Sequence, residues 1–122
     1  MASEAPTPAT WPRFAAVGAG RMGRGIALAF AYAGHRISLV DLRERTPEAM
    51  ERLRAEVGAE IAGALQGLVA LGVVEAGDVD AIASRVELAD AAQAPRALAA
   101  AQLLFEGVPE TMEAKRDAFE AI

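Results

Sequence analysis

Phe14-Ala15-Ala16-Val17-Gly18-Ala19-Gly20-Arg21-Met22-Gly23 decides how this chain is read: a short apolar run breaks into three glycines spaced GxGxxG, and a helix-like stretch follows. In a strand, turn and helix each glycine has its own task. Gly18 permits the tight turn, Gly20 lets the backbone approach a pyrophosphate, and Gly23 lets the helix lie close to the strand. The ligand's negative charge then faces unpaired N–H groups at the helix N-terminus, where the macrodipole is also favourable. Further on, Ile37-Ser38-Leu39-Val40 ends in Asp41, about where such units place the acid that takes the adenosine ribose hydroxyls. A glycine loop alone is weak evidence, and Asp41 alone is a strand-ending polar residue. Strand, turn, helix, strand and acid in this order point to a dinucleotide site. Asp41 favours NAD over NADP, because a carboxylate repels a 2′-phosphate. Arg43 and Arg45 stand close enough in sequence to turn toward such a phosphate.

Composition narrows the classes. With 122 residues, 53% of them hydrophobic and 24% charged, the chain is one folded domain with room for a core. A formal net charge of −5 with scattered basic residues argues against nucleic acid as a partner. The absence of cysteine excludes disulfides, thiolate catalysis and cysteine metal sites, and the single histidine, His35, has no companion for a metal. No stretch reaches the roughly 18 consecutive apolar residues of a membrane span. Met1 to Pro12 carries three prolines, no basic charge and no hydrophobic block. It reads as a mobile tail rather than a signal peptide, which makes the cytoplasm the expected location.

Periodicity supplies the elements. Arg13 to Val17 reads as a buried strand, and Met22, Ile26, Phe30 and Ala33 make the apolar stripe of the first helix, which Gly34 stops. Ile37 to Val40 is the second strand. Thr46-Pro47 starts a long helix to about Leu71, in which Gly58, Gly63 and Gly67 predict a bend or break. Asp78 is expected to cap a short helix through Ile82, Arg85 to Leu88 to form a third strand, and Asp90 to cap a helix broken or kinked by Pro95. Gln102 to Val108 is the fourth strand, and Pro109 opens the last helix. The β/α alternation with right-handed crossovers predicts a Rossmann-type, doubly wound parallel α/β sheet in the order 3-2-1-4, truncated after about four strands.

Three blocks together resemble the NAD-binding domain of 3-hydroxyacyl-CoA dehydrogenases: Val17 to Ala27, Ala33-Gly34-His35-Arg36-Ile37 with Asp41, and Phe105-Glu106-Gly107-Val108-Pro109-Glu110 with Lys115. The resemblance runs from Arg13 to Ile122. It implies that Gly18, Ala19, Gly20, Arg21, Met22 and Gly23 hold the pyrophosphate of NAD, that Asp41 holds the ribose, and that Val108, Pro109, Glu110 and Lys115 line the nicotinamide side. From the residues alone, Pro109 and Glu110 also suit a helix N-terminus, and Lys115 a solvated helix face. His35 precedes the second strand, at the end of the sheet away from the phosphates, so a structural or surface role is expected for it.

In the family the catalytic His–Glu pair and the helical dimerisation domain lie beyond the point matching Ile122. The chain is therefore expected to be the cofactor half of an NAD-dependent oxidoreductase of fatty acid metabolism, a homodimer when complete and inactive by itself. Ala64 and Leu71 occupy positions where some relatives carry a serine and a lysine that approach coenzyme A. A small free 3-hydroxy acid, such as carnitine or a sugar acid, is accordingly an alternative substrate. A free-standing, non-catalytic NAD-binding module is a further reading.

Overall fold

The structure, a computed structural model, describes residues 10–106. The expected last helix, the end of the fourth strand, most of the N-terminal tail, and Val108, Pro109, Glu110 and Lys115 lie outside the described residues.

Four parallel strands form one sheet in the order β3-β2-β1-β4: β1 (Phe14–Val17), β2 (Ile37–Val40), β3 (Val86–Ala89) and β4 (Leu103–Glu106). The order is the one expected from the sequence. Ala16 pairs with Leu39 on one side and Phe105 on the other, while Val40 pairs with Ala89, so the C-terminal ends of the strands are level. Helix α1 (Arg21–Tyr32) connects β1 to β2, and α2 (Pro47–Ala70), a 3-10 turn (Ala76–Asp78) and α3 (Val79–Ala83) connect β2 to β3. The short α4 (Ala94–Ala100) leads back to β4.

Strand periodicity divides the core in two. Ala16, Ile37 and Leu39 face α1, α2 and α3, where they meet Ala27, Ala31, Val57, Ile61 and Ile82. Ala15, Val17, Val40 and Ala89 face the other way, onto Ala94, Ala97 and Leu98 of α4. Both faces are covered, which is why β1 and β2 are apolar apart from the buried Ser38; the outer strands β3 and β4 carry Glu87 and Glu106. Alanines 27 and 31, fully buried, bring α1 close to the sheet.

Helix α2 is unbroken where a bend or break is expected. It is one helix of 24 residues, about 36 Å at 1.5 Å per residue. Leu53, Val57, Ile61 and Leu65 form a buried stripe along it, whereas Gly58, Gly63 and Gly67 lie on the exposed side. Burying each large side chain contributes about 1.5–3 kcal/mol, and each glycine costs about 1 kcal/mol relative to alanine, so the stripe wins. The expected start is as read: the Thr46 hydroxyl accepts from the Ala49 amide at 3.1 Å, with Pro47 in the first turn.

Other local expectations shift. Pro95 does not break its helix, because it occupies the first turn of α4, where its missing N–H is not needed. Asp90 is not the cap of α4, which begins about one turn later than expected with Gln93 at its N-cap; Asp90 instead forms a reciprocal pair with Gln93. Its carboxylate accepts from the Gln93 amide at 2.9 Å, and the Gln93 side chain accepts from the Asp90 amide at 3.2 Å. Asp78 ends the 3-10 turn and makes no side-chain capping bond. The third strand runs one residue further than expected, to Ala89. Thr10, Trp11 and Pro12, read as the end of a tail, make contacts: Arg36 donates to the Thr10 carbonyl at 2.7 Å, Trp11 packs on the α4 side of the core, and Pro12 is buried. Among the described residues, no helix is long and apolar enough to cross a membrane.

Candidate cofactor site

The glycine loop leaves the C-terminal end of β1 and enters α1. Gly18 has φ 100°, a conformation that L side chains rarely adopt, and its amide donates to the Val40 carbonyl at 2.8 Å. This bond ties the turn to the end of β2. Gly23, one turn into α1, is where the helix touches the loop: a methyl group there would lie 1.9 Å from the Gly18 carbonyl oxygen and 3.3 Å from Leu39 Cδ1.

Gly20 is different. Its backbone is extended (φ −84°, ψ −170°), it is exposed, and a methyl group on it would meet nothing within 4 Å. It stands at the N-cap of α1 and offers no side-chain acceptor, and the first turn holds no acidic residue. The amides of Arg21, Met22 and Gly23 have no carbonyl four residues back within the helix. Among the described residues none of them finds another backbone acceptor. The side chains of Arg21 and Met22 point outward, Met22 being 65% exposed. The arrangement is an open patch of unpaired donors at the positive end of a helix, one that suits an anion.

Arg24 braces this loop. Its Nε donates to the Ala19 carbonyl at 2.8 Å, and its Nη1 donates to Glu60 of α2 at 2.8 Å. The glycine loop is thereby linked to a helix 36 residues away in sequence.

Asp41 lies just past β2, beside the loop. Its amide donates to the Ala89 carbonyl at 2.9 Å and its side chain is nearly buried, the residue being 4% exposed. Both carboxylate oxygens accept from Arg45: Nε to Oδ2 at 2.5 Å and Nη2 to Oδ1 at 3.3 Å. The hydrogen bond to Asp41 holds the Arg45 guanidinium pKa above its ordinary value, despite the opposing effect of partial burial, with the charges of Asp41 and Glu56 adding to it. Of the two nearby arginines, Arg45 is therefore the one that engages Asp41, and Arg43 is exposed.

His35 stands at the N-terminal end of β2, exposed, with its ring edge-on to Phe14 at 5.2 Å between centroids. That is the opposite end of the sheet from Gly18 and Asp41, as expected. Sequence reasoning missed Arg24 and the pairing of Arg45. A separate groove between α2, α3 and β3, bordered by Arg54, Ile61 and Leu88, contains none of the loop residues.

Residues 13–122 match the family described as "3-hydroxyacyl-CoA dehydrogenase, NAD binding domain". The chain belongs to this family. Its cofactor is accordingly NAD. Among solved structures, this NAD-binding domain is similar to the (S)-3-hydroxybutyryl-CoA dehydrogenase of Ralstonia eutropha, with 26% identity, a TM-score of 0.67, and 88% of this chain and 35% of that chain covered. It is similar also to the 3-hydroxybutyryl-CoA dehydrogenase of Escherichia coli, with 27% identity, a TM-score of 0.70, and 90% and 21% covered. FadB2 of M. tuberculosis gives 26% identity, a TM-score of 0.71, and 90% and 35% covered. The domain thus spans about a third or less of the length of these relatives. No match was found among curated protein sequences.

Proposed function

We propose that this domain is the cofactor-holding part of an NAD-dependent enzyme that oxidises a 3-hydroxyacyl-CoA to the 3-ketoacyl-CoA. The observation that carries the reading is the juxtaposition of the open, donor-rich Gly20 turn with the buried carboxylate of Asp41, at the level ends of two neighbouring strands, in a chain of this family. These residues fit NAD. The space beside Gly20 admits a pyrophosphate to the amides of Arg21, Met22 and Gly23. Gly18 and Ala19 shape the turn, and Asp41 accepts the ribose hydroxyls. Val108, Pro109, Glu110 and Lys115 are assigned to the nicotinamide side on the family resemblance. NAD supplies the hydride acceptor.

The domain's own work is binding and orientation. Arg24 fixes the loop that meets the diphosphate, and Arg45 holds the Asp41 carboxylate in place. His35 is not placed to take the hydroxyl proton, and on the family resemblance the base belongs to another part of the enzyme, which we expect to be a homodimer acting in fatty acid metabolism. The test is steady-state kinetics of the purified full-length protein with 3-hydroxybutyryl-CoA and NAD. Formation of NADH supports the assignment, and none at any substrate concentration contradicts it.

A second reading is favoured by one observation. Ala64 and Leu71, both exposed, lie on and just after the last turns of α2, where some relatives carry groups that approach coenzyme A. A small free 3-hydroxy acid would not need those groups. The same assay with carnitine and related free acids separates the two, because the favoured substrate has the higher kcat/KM.

A further inference from the structure

We infer that Arg45 is a specificity-determining residue that narrows the preference for NAD over NADP; the inference rests on the NAD reading of this site. Asp41 is nearly buried, and both of its oxygens are held by one guanidinium. An ionised carboxylate offers about four lone-pair positions, of which Arg45 uses two. The others remain for the two ribose hydroxyls, so NAD binds with the pair intact. A 2′-phosphate brings at least one further negative charge to the same place. Against a bare, buried Asp41 it is repelled in a medium where water screens poorly. Against the Asp41–Arg45 pair it meets no net charge and finds a cation with planar, paired donors, which suits phosphate oxygens.

The loop is built to keep Arg45 there. Leu42 packs into the α4 side of the core at one end, and Thr46 caps α2 at the other. Arg45 lies between these fixed points with its side chain 24% exposed, so it stays within reach of a ligand. Arg43, two residues earlier, is exposed and makes no hydrogen bond to Asp41, which provides an internal control.

The test is the ratio of NADPH to NADH dissociation constants, measured by equilibrium titration on one preparation of the purified full-length protein, so that the active fraction cancels. In Arg45→Gln the ratio rises by about tenfold or more, as NADPH loses a charged partner and faces an uncompensated carboxylate. In Arg45→Lys it stays within about threefold of the parent, and in Arg43→Gln it does not change. An unchanged or lower ratio in Arg45→Gln overturns the inference. In the unmutated protein, NADPH affinity falls more steeply with added salt than NADH affinity, and a parallel or shallower fall also overturns it. A parent protein that binds neither dinucleotide overturns the cofactor reading itself, and the inference with it.

Discussion

A methyl group on Gly23 would lie 1.9 Å from the carbonyl oxygen of Gly18, with the Gly18 carbonyl carbon at 3.1 Å. Backbone meets backbone there, so no flexible side chain can yield. Gly23→Ala is expected to push α1 off the loop and destabilise the protein by about 3 kcal/mol. Thermal or urea unfolding checks this; a melt equal to that of the parent would mean that the loop shifts freely.

Gly20→Val separates binding from folding. A Cβ at this position meets no protein atom within 4 Å and the site is exposed, so the fold survives with a cost of about 1 kcal/mol for a β-branched N-cap. The same side chain occupies the approach to the helix N-terminus. NADH affinity is expected to fall by about a hundredfold, with the circular dichroism spectrum unchanged. Wild-type affinity in the folded variant would refute the placing of the pyrophosphate.

Arg24 and Glu60 form an ion pair of unequal partners, with side chains 15% and 50% exposed. The exposed half contributes little, since water screens it. The bond from Arg24 to the Ala19 carbonyl is worth more, about 1.5 kcal/mol as a charge-assisted hydrogen bond in a partly buried position. Arg24→Gln is therefore expected to lower stability by about 1 kcal/mol or more and to weaken NADH binding severalfold. Glu60→Gln is expected to change both only slightly. Paired unfolding and titration experiments check the order, which must not reverse.

Asp41→Asn removes one of two acceptor oxygens and the charge that polarises the ribose hydroxyls. NADH affinity is expected to fall by about tenfold or more. Stability is expected to fall by about 1 kcal/mol or more, because the new amide N–H group faces a guanidinium donor in a nearly buried position. Isothermal titration and a thermal melt of the same sample check both halves.

The parts of this domain written in local pattern were legible in the sequence. Gly18 before a helix, the stripe Leu53-Val57-Ile61-Leu65 and the short apolar strands each carry their own signal, and the 3-2-1-4 order follows from parallel crossovers. Weighing local costs against tertiary gains was not. Gly58, Gly63 and Gly67 predicted a bend or break, yet the burial that keeps α2 whole comes from packing with α1, α3 and the sheet, which is invisible along the chain. Pro95 was read as a breaker because its place in the first turn depends on where α4 begins, and the Asp90–Gln93 pair sets that point. The placing of the glycine turn and Asp41 together at one end of the sheet was legible because their spacing is set by the strand–turn–helix–strand unit. Arg24 was not, since its partner Glu60 comes near only when α1 and α2 lie side by side on the sheet. The choice between Arg43 and Arg45 was settled only by the path of the loop between Leu42 and Thr46.

Amide NMR of the isotopically labelled, purified full-length protein, titrated with NADH, tests the central claim most directly because it reports where the dinucleotide sits. The account predicts that the largest shifts fall on the amides of Gly20, Arg21, Met22 and Gly23, with Asp41 and Arg45 responding at the same ligand concentration. Shifts confined to the α2–α3 groove around Arg54 and Ile61, with the glycine loop unmoved, would contradict it.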